Sequence, residues 1–163
     1  MRRTDLPQLV RALRGPMNEF VRESHVRTAL LINGAGQVLG QHGFTRSYEV
    51  MNVASLAAAT HASAKALAGI TKAPRWEHLY HGGNELNLFL APLSTPVEEL
   101  IVVAIFDAES SLGIVQLFYH TLENQIAALP EFRVAYEATD QADFERDLEA
   151  GLEFNSPDHS PDQ

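Results

Sequence analysis

Apolar residues recur along the chain in two patterns, one with helical spacing and one with the alternation or continuous runs typical of strands. Helical spacing predicts helices over residues 4–24, 53–70 and 111–129. Strand patterns cover residues 26–32, 37–42, 76–81, 86–91 and 100–106. The pair Gly15-Pro16 should break or kink the first helix, because proline supplies no amide hydrogen to it. We expect Asn52 to cap the second helix and Ser110 to cap the third.

The run Leu100 to Phe106, LIVVAIF, is the most apolar segment of the chain. A strand with no polar face is covered on both sides, so we expect this one at the centre of a sheet with helices above and below. Short turns at residues 33–36 and 82–84 join neighbouring strands as hairpins. The prediction is an α/β (α+β) fold of three layers, α/β/α, with a five-stranded, mainly antiparallel sheet and the order αββαβββα.

The helix predicted over residues 53–70 has eight alanines among its 18 residues, and alanine has the best helix propensity. A stripe of larger apolar residues, which we expect to seat this helix on the sheet, comprises Val53, Leu56, Leu67 and Ile70. The opposite side is small and nearly uncharged, and it comprises Ala54, Ala58, Ala62, Lys65 and Gly69. Small residues let another backbone approach closely, so the pattern indicates a helix contacted on two sides. Burial within one large domain is the alternative.

The charge of the chain is concentrated in its last residues. Residues 1–129 hold 10 basic and 11 acidic residues, whereas residues 130–163 hold 2 basic and 10 acidic ones. We therefore predict a domain over residues 1–129 and an acidic extension over 130–163. The first 27 residues carry six arginines, but interleaved acids leave no basic patch that predicts nucleic-acid binding. No apolar run approaches the ~18 residues of a membrane span, and no secretory signal is recognisable.

The acidic extension has one organised segment. Asp140 is placed to cap a helix over about residues 141–153, in which Phe144, Leu148 and Leu152 fall on one face at intervals of four residues. We expect residues 155–163 to be disordered. The helix either docks as an amphipathic segment, on its own domain or on a partner, or remains solvated.

The phrase Phe106-Asp107-x4-Leu112-Gly113-x-Val115, together with the element order, resembles the Roadblock (dynein light chain) family. Within that family, the alanine-rich helix, the segment from Trp76 to Gly83 and the segment IVVAIFDAESSLGIVQL look most like bacterial MglB-type regulators. The resemblance covers roughly residues 25–129. It implies a homodimer that binds a small Ras-like GTPase of the MglA type, in the ratio of two chains to one GTPase. Such a dimer accelerates GTP hydrolysis by holding the GTPase's own catalytic groups in place, without an arginine finger.

Carried over to this chain, the resemblance implies three sets of contact residues. The sheet continues between protomers through the strand after the alanine-rich helix, here at Trp76, His78, Leu79 and Tyr80. The GTPase is received by the outer helix positions Ala58, Ala62, Lys65, Ala66 and Gly69. Lys65 departs from the small residue that is usual there, which either weakens close approach or supplies a charge to the partner. In the third set, the C-terminal helix with Phe144, Leu148 and Leu152 binds the GTPase away from the main interface.

Several residues suggest other chemistry, each with a structural alternative. Gly34, Gly36 and Gly40 follow a strand, but a dinucleotide-binding turn needs a helix to open there, and the residues that follow favour a hairpin. His78 and His81 lie three apart on a strand and point to opposite faces, so they do not chelate one metal ion. Asp107 ends the central strand, where it serves either as a catalytic carboxylate or as a turn-capping one.

Arg46 and Arg75 flank the alanine-rich helix, and both are candidates for rim contacts to a partner or for a solvated surface role. We expect no cofactor, no metal and no catalytic residue of the chain's own. The absence of cysteine fits a cytoplasmic protein, and a location at the cell pole is compatible with the resemblance. Two functions stay open besides the GTPase activator: a non-catalytic Roadblock scaffold that tethers a GTPase or a larger assembly, and a small enzyme or cofactor binder.

Overall fold

A computed structural model of the chain describes residues 6–44, 46–73 and 75–132. In these residues the helices are α1 (Leu6–Ser24), α2 (Ser47–Ile70) and α3 (Leu112–Ala127). The strands are β1 (Thr28–Asn33), β2 (Val38–His42), β3 (Leu79–Gly82), β4 (Asn87–Ser94) and β5 (Glu99–Phe106). The predicted element order αββαβββα is confirmed.

The five strands form one sheet in the order β2-β1-β5-β4-β3, and each neighbouring pair is antiparallel. β5 is the central strand, as its continuous apolar sequence predicts. Its side chains alternate between two apolar clusters: Val102 and Ala104 face the cluster shared with α1 and α3, whereas Ile101 and Val103 face the cluster under α2. The sheet therefore lies between one layer of two helices and one layer of a single helix, which confirms the three-layer prediction.

α1 runs without interruption through Pro16, so the predicted break is wrong. Pro16 costs the helix the hydrogen bond that its amide would donate to the carbonyl of Ala12. The apolar residues on both sides of the proline are buried, among them Leu13, Met17 and Phe20. Their burial stabilises the helical path by several kcal/mol on the scale of about 1.5–3 kcal/mol per large apolar side chain, which outweighs the lost bond.

Two predicted helix starts are wrong. α2 begins at Ser47 rather than after Asn52, and its N-cap residue Arg46 makes no capping hydrogen bond through its side chain. Val50 packs against the cluster under α2, so the extra turn gains burial. The N-cap of α3 is Ser111, whose hydroxyl accepts a hydrogen bond from the amide of Ile114 at 3.3 Å. Ser110 instead donates its hydroxyl to the carbonyl of Ser24.

The buried side of α3 agrees with the periodicity in the sequence, and it comprises Val115, Tyr119, Leu122 and Ile126. The hydroxyl of Tyr119 donates to the carbonyl of Pro92 on β4. Burial, followed by the charge of the nearby Glu123 carboxylate, raises the pKa of Tyr119 above its ordinary value of 10.0. Tyr119 therefore joins α3 to the sheet as a neutral side chain.

The C-terminal helix predicted over 141–153, with Phe144, Leu148 and Leu152, lies outside the described residues. Among the helices of residues 6–44, 46–73 and 75–132, none combines the length and the apolar character needed to cross a membrane.

Candidate functional site

The face of α2 that contacts the sheet consists of small residues. Ala54, Ala57 and His61 are buried there, and Ala54 and Ala57 pack against Leu30, Ile32, Leu90, Ile101 and Val103 of the sheet. The prediction that Val53, Leu56, Leu67 and Ile70 seat the helix is right only for Val53, which is half-buried against this cluster, and wrong for the other three. Both sides of α2 are apolar, so periodicity did not distinguish them, and the side with the smaller residues lies against the sheet.

The larger apolar side chains of α2 point away from the sheet. Leu56, Leu67 and Ile70 are 68, 61 and 77 % exposed. They lie on one side of the helix with two small exposed residues, and we call this set the outward face of α2: Leu56, Ala59, Ser63, Leu67 and Ile70. Exposed apolar patches mark interaction surfaces in soluble proteins. The outward face is therefore the first element of a candidate binding site.

The helix positions implied by the family resemblance lie on the flank next to the outward face. Ala62, Lys65, Ala66 and Gly69 are exposed, whereas Ala58 is half-buried and packs against the cluster under α2. A Cβ atom added at Gly69 would meet no atom within 4 Å apart from its chain neighbours and the backbone of its own helix. Four of the five positions are thus accessible to a partner, and Ala58 is accessible only in part.

The exposed side chain of Lys65 also contacts a residue of the sheet. Its Nζ lies 3.4 Å from Oε1 of Glu99, and the same oxygen lies 2.9 Å from Nε2 of His61. The ring of His61 lies 5.6 Å from that of Trp76. We call these four residues, His61, Lys65, Trp76 and Glu99, the Glu99 cluster. It connects the middle of α2 to the start of β5 and explains how a lysine is accommodated on this flank.

β3 forms the second element of the site, as the strand at one end of the sheet. Leu79 and Trp76 pack against the cluster under α2, whereas His78 stacks on Phe89 and Tyr80 lies against Phe106 on the other side. Trp76 therefore lies on the α2 side of the sheet, whereas His78 and Tyr80 lie on the other side, although alternation over the predicted strand 76–81 would place all three on one face. The strand begins only at Leu79, so Trp76 precedes the segment in which side chains alternate.

The edge of β3 that does not pair with β4 has no strand beside it in the described part of the chain. Tyr80 is 45 % exposed, and its hydroxyl donates to Oδ1 of Asn87 at 2.9 Å. An unpaired strand edge presents backbone donors and acceptors to another chain. β3 and the outward face of α2 thus offer two kinds of contact, one through backbone hydrogen bonds and one through apolar side chains.

Arg46 and Arg75 are exposed and lie before the start and after the end of α2. A helix of 24 residues is about 36 Å long at 1.5 Å per residue, so the two arginines are not brought together. Arg75 Nη2 lies 3.7 Å from Oε1 of Glu123 on α3. The two side chains do not form a joint cationic site.

The features that suggested other chemistry have local structural roles. Oδ1 of Asn33 accepts hydrogen bonds from the amides of Ala35 and Gln37, and the chain returns as β2, so the glycine segment is a hairpin and not a dinucleotide-binding turn. Asp107 accepts from the amide of Glu109 and pairs with Arg27 at 3.1 Å. In residues 6–44, 46–73 and 75–132, no group of three or more potential metal ligands is placed to hold an ion.

Sequence reasoning missed two parts of this site. The Glu99 cluster joins residues that are far apart in the sequence, and no local pattern indicates it. The exposure of Leu56, Leu67 and Ile70 had one available signal, since Ala54, Ala57, His61 and Ala64 also recur at helical spacing. The side chains of that second stripe are smaller, but they recur with the same spacing. An assignment by residue size therefore chose the wrong side of the helix.

Comparison with known proteins agrees with this architecture. The chain matches MglB of Myxococcus xanthus at a TM-score of 0.66 and 20 % identity, covering 72 % of this chain and 86 % of that one. It matches the gliding protein MglB of Thermus thermophilus at 0.64 and 26 % identity, covering 78 % and 90 %. A Roadblock/LC7 domain from Streptomyces avermitilis gives 0.59 and 17 % identity, covering 69 % and 92 %.

Among curated proteins, no match was found. The Roadblock/LC7 domain family matches residues 17–104. That range runs from the second half of α1 to Ala104 in β5 and includes α2 and β3, so it contains both elements of the candidate site. The chain belongs to the Roadblock/LC7 domain family.

Proposed function

We propose that this protein is a homodimeric regulator of a small Ras-like GTPase, and that it activates GTP hydrolysis by the bound GTPase. The observation that supports this most is the outward face of α2, where three large apolar side chains lie in solvent next to a flank of small residues. Large apolar side chains in solvent do not stabilise an isolated monomer. A surface that binds another protein needs such side chains to be exposed.

A homodimeric regulator needs one contact with a second copy of the chain and another with the GTPase. The two elements of the site differ in a way that suits these two contacts. The free edge of β3 suits pairing with β3 of a second copy, because a two-fold axis between identical antiparallel strands satisfies both edges. Pairing of this kind would bring the two α2 helices side by side over one continuous sheet. Their accessible surface would then be continuous across the dimer and wide enough for a globular partner.

The proposed mechanism uses shape rather than chemistry supplied by this chain. Arg46 and Arg75 lie at opposite ends of α2, and Asp107 is engaged by Arg27 and by a turn amide. The site therefore acts by holding the GTPase's own catalytic groups in their productive positions, which lowers the entropic cost of reaching the transition state. A rigid surface is sufficient for that role.

The first experiment combines the protein with a small Ras-like GTPase encoded in the same genome and measures phosphate release from GTP. We expect acceleration by the wild-type chain, which light scattering should find as a dimer. Ala62→Arg should abolish GTPase binding without dissociating the dimer, because the new side chain fills a surface that a close neighbour needs. Ala127→Arg, at an exposed position near the end of α3 on the other side of the sheet, is the matched control and should bind normally.

Full GTPase binding by Ala62→Arg would contradict the assigned flank of α2. Binding of the GTPase without any change in its hydrolysis rate would favour the alternative, a Roadblock scaffold that tethers a GTPase or a larger assembly. The remaining alternative, a small enzyme or cofactor binder, loses its two supporting features here, since the glycine segment is a hairpin and Asp107 is engaged in a turn.

A further inference from the structure

A shallow apolar groove lies between α1 and β2, on the side of the sheet opposite α2. Its volume is about 270 Å³, and its floor is formed by Leu13, Met17 and Leu39. Val10 forms a partly exposed wall on α1, β2 lines the other wall from Val38 to Gln41, and the polar rim comprises Arg14, Asn18 and Gln41. β2 is the end strand of the sheet, so the groove is open to solvent along its length. This surface is separate from the candidate site on α2 and β3.

We propose that the groove is the docking site of the chain's own acidic extension, through the amphipathic segment predicted over residues 141–153. The apolar residues Phe144, Leu148 and Leu152 would cover about 12 Å along a helix at 1.5 Å per residue. The wall of the groove on α1, from Val10 to Asn18, has the same length of about 12 Å by the same rise. Three anchors at four-residue spacing therefore match the length of the apolar surface.

Charge complementarity favours this occupant over an unrelated apolar peptide. Arg14 lines the groove, and Arg11 is exposed one turn of α1 away from it. Residues 130–163 hold 10 acidic and 2 basic residues, a balance of −8, whereas residues 1–129 hold 11 acidic and 10 basic ones, a balance of −1. An acidic amphipathic helix in the groove would thus place apolar side chains on the floor and carboxylates near arginines.

The path of the chain also favours docking within one molecule. Phe132, the last described residue, is buried in the same apolar cluster as Leu13 and Met17. The described part of the chain therefore ends on the side of the sheet where the groove lies. Phe144 follows Phe132 by twelve positions, and a segment of that length spans up to about 40 Å when extended. That reach is ample for a domain of this size.

This proposal does not depend on the identity of the chain's partner, and the absence of cysteine makes it directly testable. In the full-length protein, Gln41→Cys on the rim is combined with Glu149→Cys in the extension, and disulfide formation is followed under mild oxidation. The control pair combines Ser63→Cys, on the outward face of α2, with Glu149→Cys. We expect an intramolecular disulfide in the first pair that forms at least about tenfold faster than in the control, since docking raises the effective concentration.

Two kinds of outcome would overturn the proposal. A disulfide that joins two molecules is recognised by mass in a mixture of isotopically labelled and unlabelled chains. It would mean that the extension of a second copy occupies the groove. Equal or faster reaction with Ser63→Cys would mean that the extension does not prefer the groove and is free or contacts α2 instead. Only a preferential bond to Gln41→Cys within one molecule supports the proposal.

Variants in the same cross-linking assay test the apolar contact and the charge interaction separately. Leu148→Ser should slow the Gln41→Cys reaction by at least about tenfold, because it removes one buried anchor. Arg14→Glu should slow it about two- to fivefold at low salt, with a smaller effect at high salt, as expected of exposed charge pairs. Arg22→Glu, at an exposed position outside the groove on the same helix, is its control and should change the rate little. Equal effects of the two arginine variants would contradict the assigned groove.

Discussion

Removal of the Glu99 carboxylate tests how α2 is held on the sheet. Oε1 of Glu99 lies 2.9 Å from Nε2 of His61 and 3.4 Å from Nζ of Lys65. His61 is only 7 % exposed, and its Nδ1 already has no hydrogen-bond partner among the described residues. In Glu99→Ala, both ring nitrogens of a buried histidine would therefore lack a partner.

The expected magnitude follows from the different burial of the two interactions. A buried polar group that loses its partner costs about 1–3 kcal/mol. The pair with Lys65, whose side chain is 68 % exposed, is in the class of surface ion pairs worth about 0.2–1 kcal/mol. We expect Glu99→Ala to lower the free energy of unfolding by about 2–3 kcal/mol. Lys65→Met should lower it by no more than about 1 kcal/mol.

Urea denaturation followed by tryptophan fluorescence is the appropriate assay, with circular dichroism as a second probe. Trp76 is the single tryptophan of the chain and lies 5.6 Å from His61, so its emission reports on the Glu99 cluster directly. All variants need the same protein concentration, because association shifts apparent stability. Equal losses in Glu99→Ala and Lys65→Met would refute the view that the buried bond to His61 dominates.

Two further predictions concern the segment after β2 and the packing of α3 on the sheet. Gly43→Ala should destabilise the protein by about 3 kcal/mol or more. Gly43 has a φ of 81°, and a Cβ added there would lie 2.2 Å from the carbonyl oxygen of Arg27. Thermal unfolding measures the effect, and an unchanged melting temperature would contradict this geometry. Tyr119→Phe should cost about 1 kcal/mol at neutral pH, where the bond to the Pro92 carbonyl is lost. The raised pKa of Tyr119 means that the folded state retains its proton when the unfolded state loses it, so its contribution is complete below pH 10.0 and declines above it. The difference in stability between wild type and Tyr119→Phe should therefore shrink above that pH, and a constant difference would oppose the assignment.

The sequence was sufficient for those features in which one physical pattern has one solution. The continuous apolar run of β5 requires cover on both sides, and it is the central strand. The stripe through Val115, Leu122 and Ile126 recurs at helical spacing along α3, and it is buried. The turn at residues 33–36 has no helical continuation, so a hairpin was the available interpretation.

Prediction failed where two physical effects compete. α2 has two apolar sides, and the close approach that alanines permit decided against the larger residues Leu56 and Leu67. In α1, the burial of neighbouring apolar side chains prevailed over the missing amide of Pro16. The Glu99 cluster depends on tertiary proximity between α2 and β5, which no local spacing encodes. The sequence thus predicted α2 and β3 as the elements of the site, whereas the structure was needed to show which side chains of α2 point outward.

The most direct test of the central proposal is the mass of the complex formed with a Ras-like GTPase from the same genome, measured by native mass spectrometry with a non-hydrolysable GTP analogue bound. We predict a species that contains two copies of this chain and one GTPase, and its loss in Ala62→Arg but not in Ala127→Arg. A chain that remains free of every such GTPase at concentrations well above the micromolar range would contradict the proposed function.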